Sequence, residues 1–526
     1  MLILKWNKIE IKEIHLKQIT DNHIFLYFWS MKFFRKYHKW LGIIITLFIL
    51  IFSVSGIILN HRNWFSGCNV DRNIMPEQYH YKNWNNASVK GTLRINSDSI
   101  LIYGAIGIWL TDSSYSHFTD FNQGFSQGMD NRKTNKLFKA GNHLLAGTLF
   151  GLYEYNYQLN SWYPIKEMNH EIMDLALKQD TLLVLTRSNL FKSTNLLQYE
   201  PIVLPEPEGY NNKVGLFKTL WVIHSGEIYG ALGKLLVDFI GLVFIFLSIT
   251  GVIYFIAPWL IRRKKEKKLP IAGVVKINRF SLKWHNKLGW ILIPFLLITT
   301  LTGMFLRPPL LIAIFSSNVS KIPYTELDTP NAWFDKLRRI VYDETKNRYS
   351  LATIDGLYFV NSDLSGVMIP AQTQPPISVM GVNVFEQINP DQYLIGSFEG
   401  LFILDESNEL VFDYVEQKTY IPAKRRGAPI GTHMCTGYSR DFSLGTVFFD
   451  YNLGAIPLET SESFAPMPEI IKNQPLSLWN VALEFHTARI FDSIIGSFYL
   501  LIIPLIGLFT LFVLVSGFIV WYRYYR

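Results

Sequence analysis

The chain has 526 residues, 49% of them hydrophobic, a net charge of +8 and a mean hydropathy of +0.15. It is too apolar for an ordinary soluble protein and too polar to lie wholly within a membrane. The excess of lysine and arginine gathers at the ends of apolar runs, where it reports orientation in a bilayer, so no nucleic-acid partner is expected.

Residues 1–30 carry no cleavable signal pattern and are read as an N-terminal extension, with Met31-Lys32-Phe33-Phe34-Arg35 as the expected translation start. Four runs, 40–59, 239–261, 288–306 and 494–521, each have about the 20 residues a bilayer requires. Lys32, Arg35, Lys36 and Lys39 precede the first run, Arg262 to Lys268 follow the second, and Arg523 and Arg526 follow the fourth. Basic flanks stay inside, so both termini and the basic loop are expected in the cytoplasm of a bacterial inner-membrane protein, with the two large segments outside. The expected order is a span in 31–61, an outer segment 62–222, a span in 223–261, a basic loop 262–282, a span in 283–307, a second outer segment 308–480 and a span in 481–526.

The outer segments hold spaced hairpin signals. Ala146 to Tyr153 reads as strand, glycine turn, strand, and the pattern recurs at Gly104 to Trp109, Ala352 to Tyr358 and Gly396 to Phe402. Leu185 to Phe191 is a further copy, with Asn189 expected in the left-handed conformation that glycine takes elsewhere. The aligned apolar residues Ile108, Leu152, Leu190, Leu357 and Leu401 are spaced by 44 and 38 residues in the first segment and by 44 in the second. Those spacings match a propeller blade of about 40–50 residues. The strings resemble the propeller blades of bacterial two-component regulators, a resemblance of about seven residues per copy. The expected fold is an α-helical membrane protein of four spans with an internal duplication and two periplasmic all-β insertions. Blades from both insertions closing one propeller is one reading; any other hairpin-rich β domain is the alternative. Cys68 and Cys435 fall in different outer segments, so a disulfide between them is open.

The duplication is clearest around histidines. His38 is followed by Gly42 and Gly56, 4 and 18 residues on, and His285 is followed at the same offsets by Gly289 and Gly303. Eighteen steps of about 100° return to one helix face and four nearly do, so each histidine is expected to head a stripe with two notches. Ile223 to Tyr229 matches Phe485 to Phe491 and places His224 opposite His486, with glycines 10 residues apart in each following span (Gly241 and Gly251, Gly507 and Gly517). Pseudo-symmetry is expected to pair His38 with His285 and His224 with His486. Paired imidazoles above glycine notches suit axial ligation of a flat metal macrocycle, haem, with one disc near each face of the membrane. The competing reading makes them interfacial polar residues and the glycines helix-packing positions. His224 lies 15 residues before its charge-free run, so either Gly230 and Gly233 let the chain bend back, with Pro504 kinking the counterpart, or the outer haem lies at the membrane surface. His61 is a substitute ligand.

Lys36-Tyr37-His38-Lys39-Trp40-Leu41-Gly42, Ser55-Gly56, Leu59-Asn60-His61-Arg62 and His486 to Phe491 together resemble the PepSY-associated transmembrane family. That family is associated with iron uptake and includes inner-membrane reductases of ferric siderophores with b-type haems on span-end histidines. The resemblance implies ligand roles for His38, His285, His224 and His486, with His61 as a further candidate, and about two haems b. Its small α/β modules do not match the β-repeats here.

The leading expectation is therefore a dihaem b oxidoreductase that passes electrons outward to a ferric siderophore or other iron chelate. No nucleotide-binding fingerprint is present, so the donor is expected to be a separate cytoplasmic reductase or a quinol. The alternative is a non-enzymatic, membrane-anchored periplasmic propeller acting as a sensor or docking module for iron or nutrient uptake. A parallel-repeat transporter is disfavoured because the spans carry almost no charge to bind cargo.

Overall fold

The computed structural model describes residues 3–378, 380–421 and 431–525, and divides into two compact units. The first unit takes 1–61, 214–327 and 482–526; the second takes 62–213 and 328–481.

The first unit is helical: α1 (Ile3–Asn60), α2 (Leu216–Ser225), α3 (Gly230–Glu266), α4 (Ala272–Ile291), α5 (Ile293–Met304), the part of α6 (Leu478–His486) from Ala482 on, and α7 (Ile502–Tyr525). Among the described residues three helices are long and apolar enough to cross a membrane, or four if the bent pair α4 and α5 is one span. The bend is 70° and falls at Leu292. Pro294, in the first turn of α5, has no N–H for the carbonyl of Trp290, and the missing bond permits the bend. The expected continuous third span is therefore broken. Pro504 also sits in a first turn, that of α7, directly after the 3-10 turn Gly496–Leu501. Many large side chains of these helices are exposed, Leu47 at 63% and Leu232 at 79% among them, as lipid-facing residues are.

The second unit is a succession of antiparallel meanders. Their lead strands are β1 (Val89–Arg94), β2 (Thr134–Ala140), β3 (Ile172–Lys178), β4 (Leu337–Asp343), β5 (Val382–Asn389) and β6 (Cys435–Phe442). Each lead strand lies against the next along this series, and β6 pairs in parallel with β1 through Gly91 and Tyr438. First and last meanders thus share one seven-stranded sheet. Apolar clusters fill the space between successive sheets, Leu101, Ile108, Leu137 and Trp162 between the first two. The five aligned residues, Ile108, Leu152, Leu190, Leu357 and Leu401, are all fully buried in these layers. Asn189 departs from expectation and keeps an ordinary negative φ. The hydroxyl of Thr186 donates to the Asn189 carbonyl at 3.0 Å, as Thr148 and Thr353 do to Gly151 and Gly356, and this closes the turn without a left-handed residue. Cys68 and Cys435 are both free thiols, one exposed and one buried, so the open disulfide is not formed.

The fourth and fifth sheets are joined by charge. Asp343, at the end of β4, accepts from Thr345 Oγ1 at 2.7 Å, the Lys346 N–H at 3.0 Å and the Tyr393 hydroxyl at 2.8 Å. Burial alone would raise its carboxyl pKa, but these donors hold it down to about 2, below its ordinary 3.8. A depressed carboxyl stabilises the fold above its unfolded pKa and loses that contribution as pH falls through the folded value. The β unit is accordingly expected to lose stability between pH 3.8 and about 2. Circular dichroism across an acid titration checks this; Asp343→Asn should flatten the loss in that window.

Candidate metal centres

Four histidines meet as two pairs within the helical unit. The ring centroids of His38 on α1 and His285 on α4 are 6.3 Å apart, and those of His224 on α2 and His486 on α6 are 6.0 Å apart.

Each ring is seated by a helix other than its own. His224 leans on Gly303 of α5 so closely that a Cβ there would lie 2.6 Å from Cε1. The matching distances are 2.8 Å at Gly517 of α7 beneath His38, 3.2 Å at Gly56 of α1 beneath His486, and 3.5 Å at Gly251 of α3 beneath His285. Each seat glycine follows a hydroxyl residue: Ser55, Thr250, Thr302 or Ser516. Those hydroxyls donate to carbonyls of their own helices, Thr250 to Phe246 at 2.7 Å and Thr302 to Ile298 at 2.7 Å, so their lone pairs face the ring.

The result is one repeated hydrogen-bond pattern. Nδ1 of His486 meets the Phe52 carbonyl and Ser55 Oγ, both at 3.0 Å, and Nδ1 of His224 meets the Thr299 carbonyl at 3.0 Å and Thr302 Oγ1 at 3.5 Å. Nδ1 of His38 meets the Val513 carbonyl at 2.9 Å and Ser516 Oγ at 3.3 Å; that of His285 meets Thr250 Oγ1 at 3.0 Å. Surrounded by acceptors, Nδ1 carries the ring proton and Nε2 keeps its lone pair. Among the described residues nothing hydrogen-bonds Nε2 of any of the four.

The sequence-predicted glycines divide. Gly56 and Gly303 are imidazole seats, but for the other pair of histidines, not for the ones that head their own helices. Gly42 and Gly289 have nothing within 4 Å and leave open space one turn from His38 and His285. Gly251 and Gly517 are seats that the stripe argument missed. The repeated dipeptide of Ser or Thr before Gly, present in all four spans, is the signal that finds them.

His224 reaches its seat by a fold-back, the first of the two routes open to it. Helix α2 stops at Gly226 (φ +79°), a single turn follows over Glu227–Tyr229, and Gly230 (φ +58°) opens α3. A Cβ on Gly226 would lie 2.1 Å from the Gly233 carbonyl oxygen, which makes glycine obligatory there. The second half repeats the device with Ala488 (φ +59°), the turn Arg489–Phe491 and Gly496 (φ +56°).

His61 stands apart. Its Nε2 lies 2.5 Å from Asp238 Oδ2, and Asn60 Nδ2 donates both to Asp238 Oδ1 at 3.0 Å and to the Ser225 carbonyl at 3.1 Å. Asp238 takes Nε2, so the substitute-ligand reading of His61 is left with Nδ1, and the cluster ties α1 to α3. Asp238→Ala should leave haem content unchanged but destabilise the helical unit by about 3 kcal/mol, the cost of stranding one partner of a buried pair. Thermal melts with haem quantified check this; haem loss would return His61 to the ligands.

The donor sets fit haem. A metal–imidazole bond of about 2 Å on each side of one iron places ring centres roughly 6 Å apart, once each ring's own radius is added. Among the described residues no group of three or more His, Cys, Asp or Glu converges. Imidazole pairs suit a metal whose remaining ligands come from a macrocycle, and fixed Nδ1 partners orient the rings for it.

Apolar spans around paired imidazoles define a membrane protein with candidate metal centres inside its helical unit. The chain belongs to the PepSY-associated TM region family, whose model matches residues 13–257 and again 215–524, one match per half. No curated protein matches it. Among solved structures it is similar to the extracellular domain of a putative one component system from B. thetaiotaomicron. That likeness has 10% identity and a TM-score of 0.32, and covers 74% of this chain and 39% of that one. It is also similar to PorZ, a surface component of the type-IX secretion system of Porphyromonas gingivalis. Here the identity is 14% and the TM-score 0.27, covering 70% of this chain and 31% of that one.

Proposed function

We propose that the chain is a bacterial inner-membrane dihaem b protein that carries electrons from the cytoplasmic side to a ferric siderophore or another iron chelate outside. The observation that carries this reading is the fourfold seat, in which each histidine is oriented through Nδ1 and stands about 6 Å, ring to ring, from its partner. Haem at each pair supplies one-electron redox chemistry. The chain's own residues hold the rings, fix their tautomer, and surround them with apolar helices that keep water away. His38 and His285 form the cytoplasmic site and His224 and His486 the outer one, on the orientation drawn from the basic flanks. The donor is a separate cytoplasmic reductase or a quinol; the acceptor's iron is reduced by one electron.

The β unit is read as a single six-bladed ring shared by both outer segments. Its support is the unbroken succession of lead strands and the parallel β6–β1 pairing. An experimental density map with an open edge at β1 or β6 would overturn the ring.

A dithionite-reduced minus oxidised spectrum of the detergent-purified protein tests the redox reading. Split α and β bands at about two haems b per chain are expected from two bis-imidazole sites. A colourless protein from haem-replete cells would sink it.

A further inference from the structure

Helix α4 carries a row of cations that the redox reading does not use. Arg279, Lys283 and Lys287 recur every four residues, so they share one face. With Asn286 and Trp290 of α4 and Trp521 of α7 they line a groove of about 340 Å³. The two indoles stack, with centroids 4.5 Å apart and planes 10° from parallel. No carboxylate lines the groove, and none of its three cations makes an ion pair with a described residue. Lys287 has only the Trp284 ring, 5.1 Å away. The same helix exposes Ile277 at 55% and Phe280 at 54%.

Three uncompensated cations call for an anion. The indoles and the exposed apolar side chains say which kind: paired tryptophans mark the headgroup level of a bilayer, and bare Ile and Phe on the same helix suit acyl chains. A soluble acidic protein would satisfy the cations and leave the apolar residues in water. We propose that the groove between α4 and α7 binds an anionic phospholipid, its phosphate on Arg279, Lys283 and Lys287 and its glycerol end against Trp290 and Trp521.

The test is native mass spectrometry of the full chain, released from nanodiscs of phosphatidylcholine containing one-fifth phosphatidylglycerol. The wild-type chain should retain phosphatidylglycerol in preference to phosphatidylcholine. Each cation strengthens binding to an anionic membrane lipid roughly fivefold, so Arg279→Gln/Lys283→Gln/Lys287→Gln should abolish the preference. A control, Lys264→Gln/Lys265→Gln/Lys267→Gln in the neighbouring basic loop, should keep it. Should the triple variant fail to fold, Lys283→Gln alone should lower the preference roughly fivefold. Equal retention of the two lipids, or equal loss in the control, would overturn the proposal. Displacement of the retained lipid by millimolar inorganic phosphate would reassign the groove to a free anion and overturn it as well.

Discussion

Replacing His224 by alanine is expected to take the haem content of the purified protein from about two per chain to about one, because a bis-imidazole site with one ligand gone keeps little affinity. The remaining spectrum should be that of the His38–His285 site alone, whose seats on α7 and α3 do not involve α2. His486→Ala should give the same residual spectrum, since the two rings pair with centroids 6.0 Å apart. His38→Ala and His285→Ala should give the complementary one. Electron delivery to an outer acceptor should fail in all four, as a chain of two carriers fails when either is missing. Identical residual spectra from His224→Ala and His38→Ala would mean that the pairs are not separate sites.

Substitution of Gly303 is expected to have nearly the same effect without touching a ligand. A methyl at Gly303 would lie 2.6 Å from His224 Cε1, well inside contact distance, and the ring is held there by the Thr299 carbonyl, so the imidazole must leave its seat. Gly303→Ala should therefore lose most of one haem, and Gly303→Val all of it. The four seats predict a gradient. Gly517→Ala, at 2.8 Å, should be severe, Gly56→Ala, at 3.2 Å, partial, and Gly251→Ala, at 3.5 Å, close to neutral. Removing a hydroxyl partner, as in Ser55→Ala or Thr302→Ala, should weaken haem binding by roughly 10–100-fold while the helices stay in place. Haem titration of the apo-proteins measures the whole series. A Gly251→Ala protein that loses as much haem as Gly303→Ala would show that the glycines act through helix packing instead.

Some of this was open to reading before any coordinates. Length, apolar runs and basic flanks sufficed for the membrane class, because a span's hydrophobic length and its charged ends are local properties. The duplication was equally legible, with His38 and His285, then His224 and His486, at matching offsets, since a repeat preserves spacing whatever fold it adopts. The buried leucines of the hairpins could be named for the same reason: a tight turn followed by an inward residue is a local device.

What the sequence could not decide was which helix receives which ring. The stripe beneath His38 on α1 was the natural place for its notches, yet that helix's Gly56 serves His486, 430 residues away, and His38 rests on Gly517. That His61 turns its Nε2 to Asp238 was also decided by the packing of α1 on α3. The break at Leu292 likewise depends on where α5 must go to meet α2 and α7, which Pro294 permits but does not dictate. Spacing along a helix is local and survives in the sequence. The partner across an interface depends on how several helices pack at once, and only the tertiary structure holds that information.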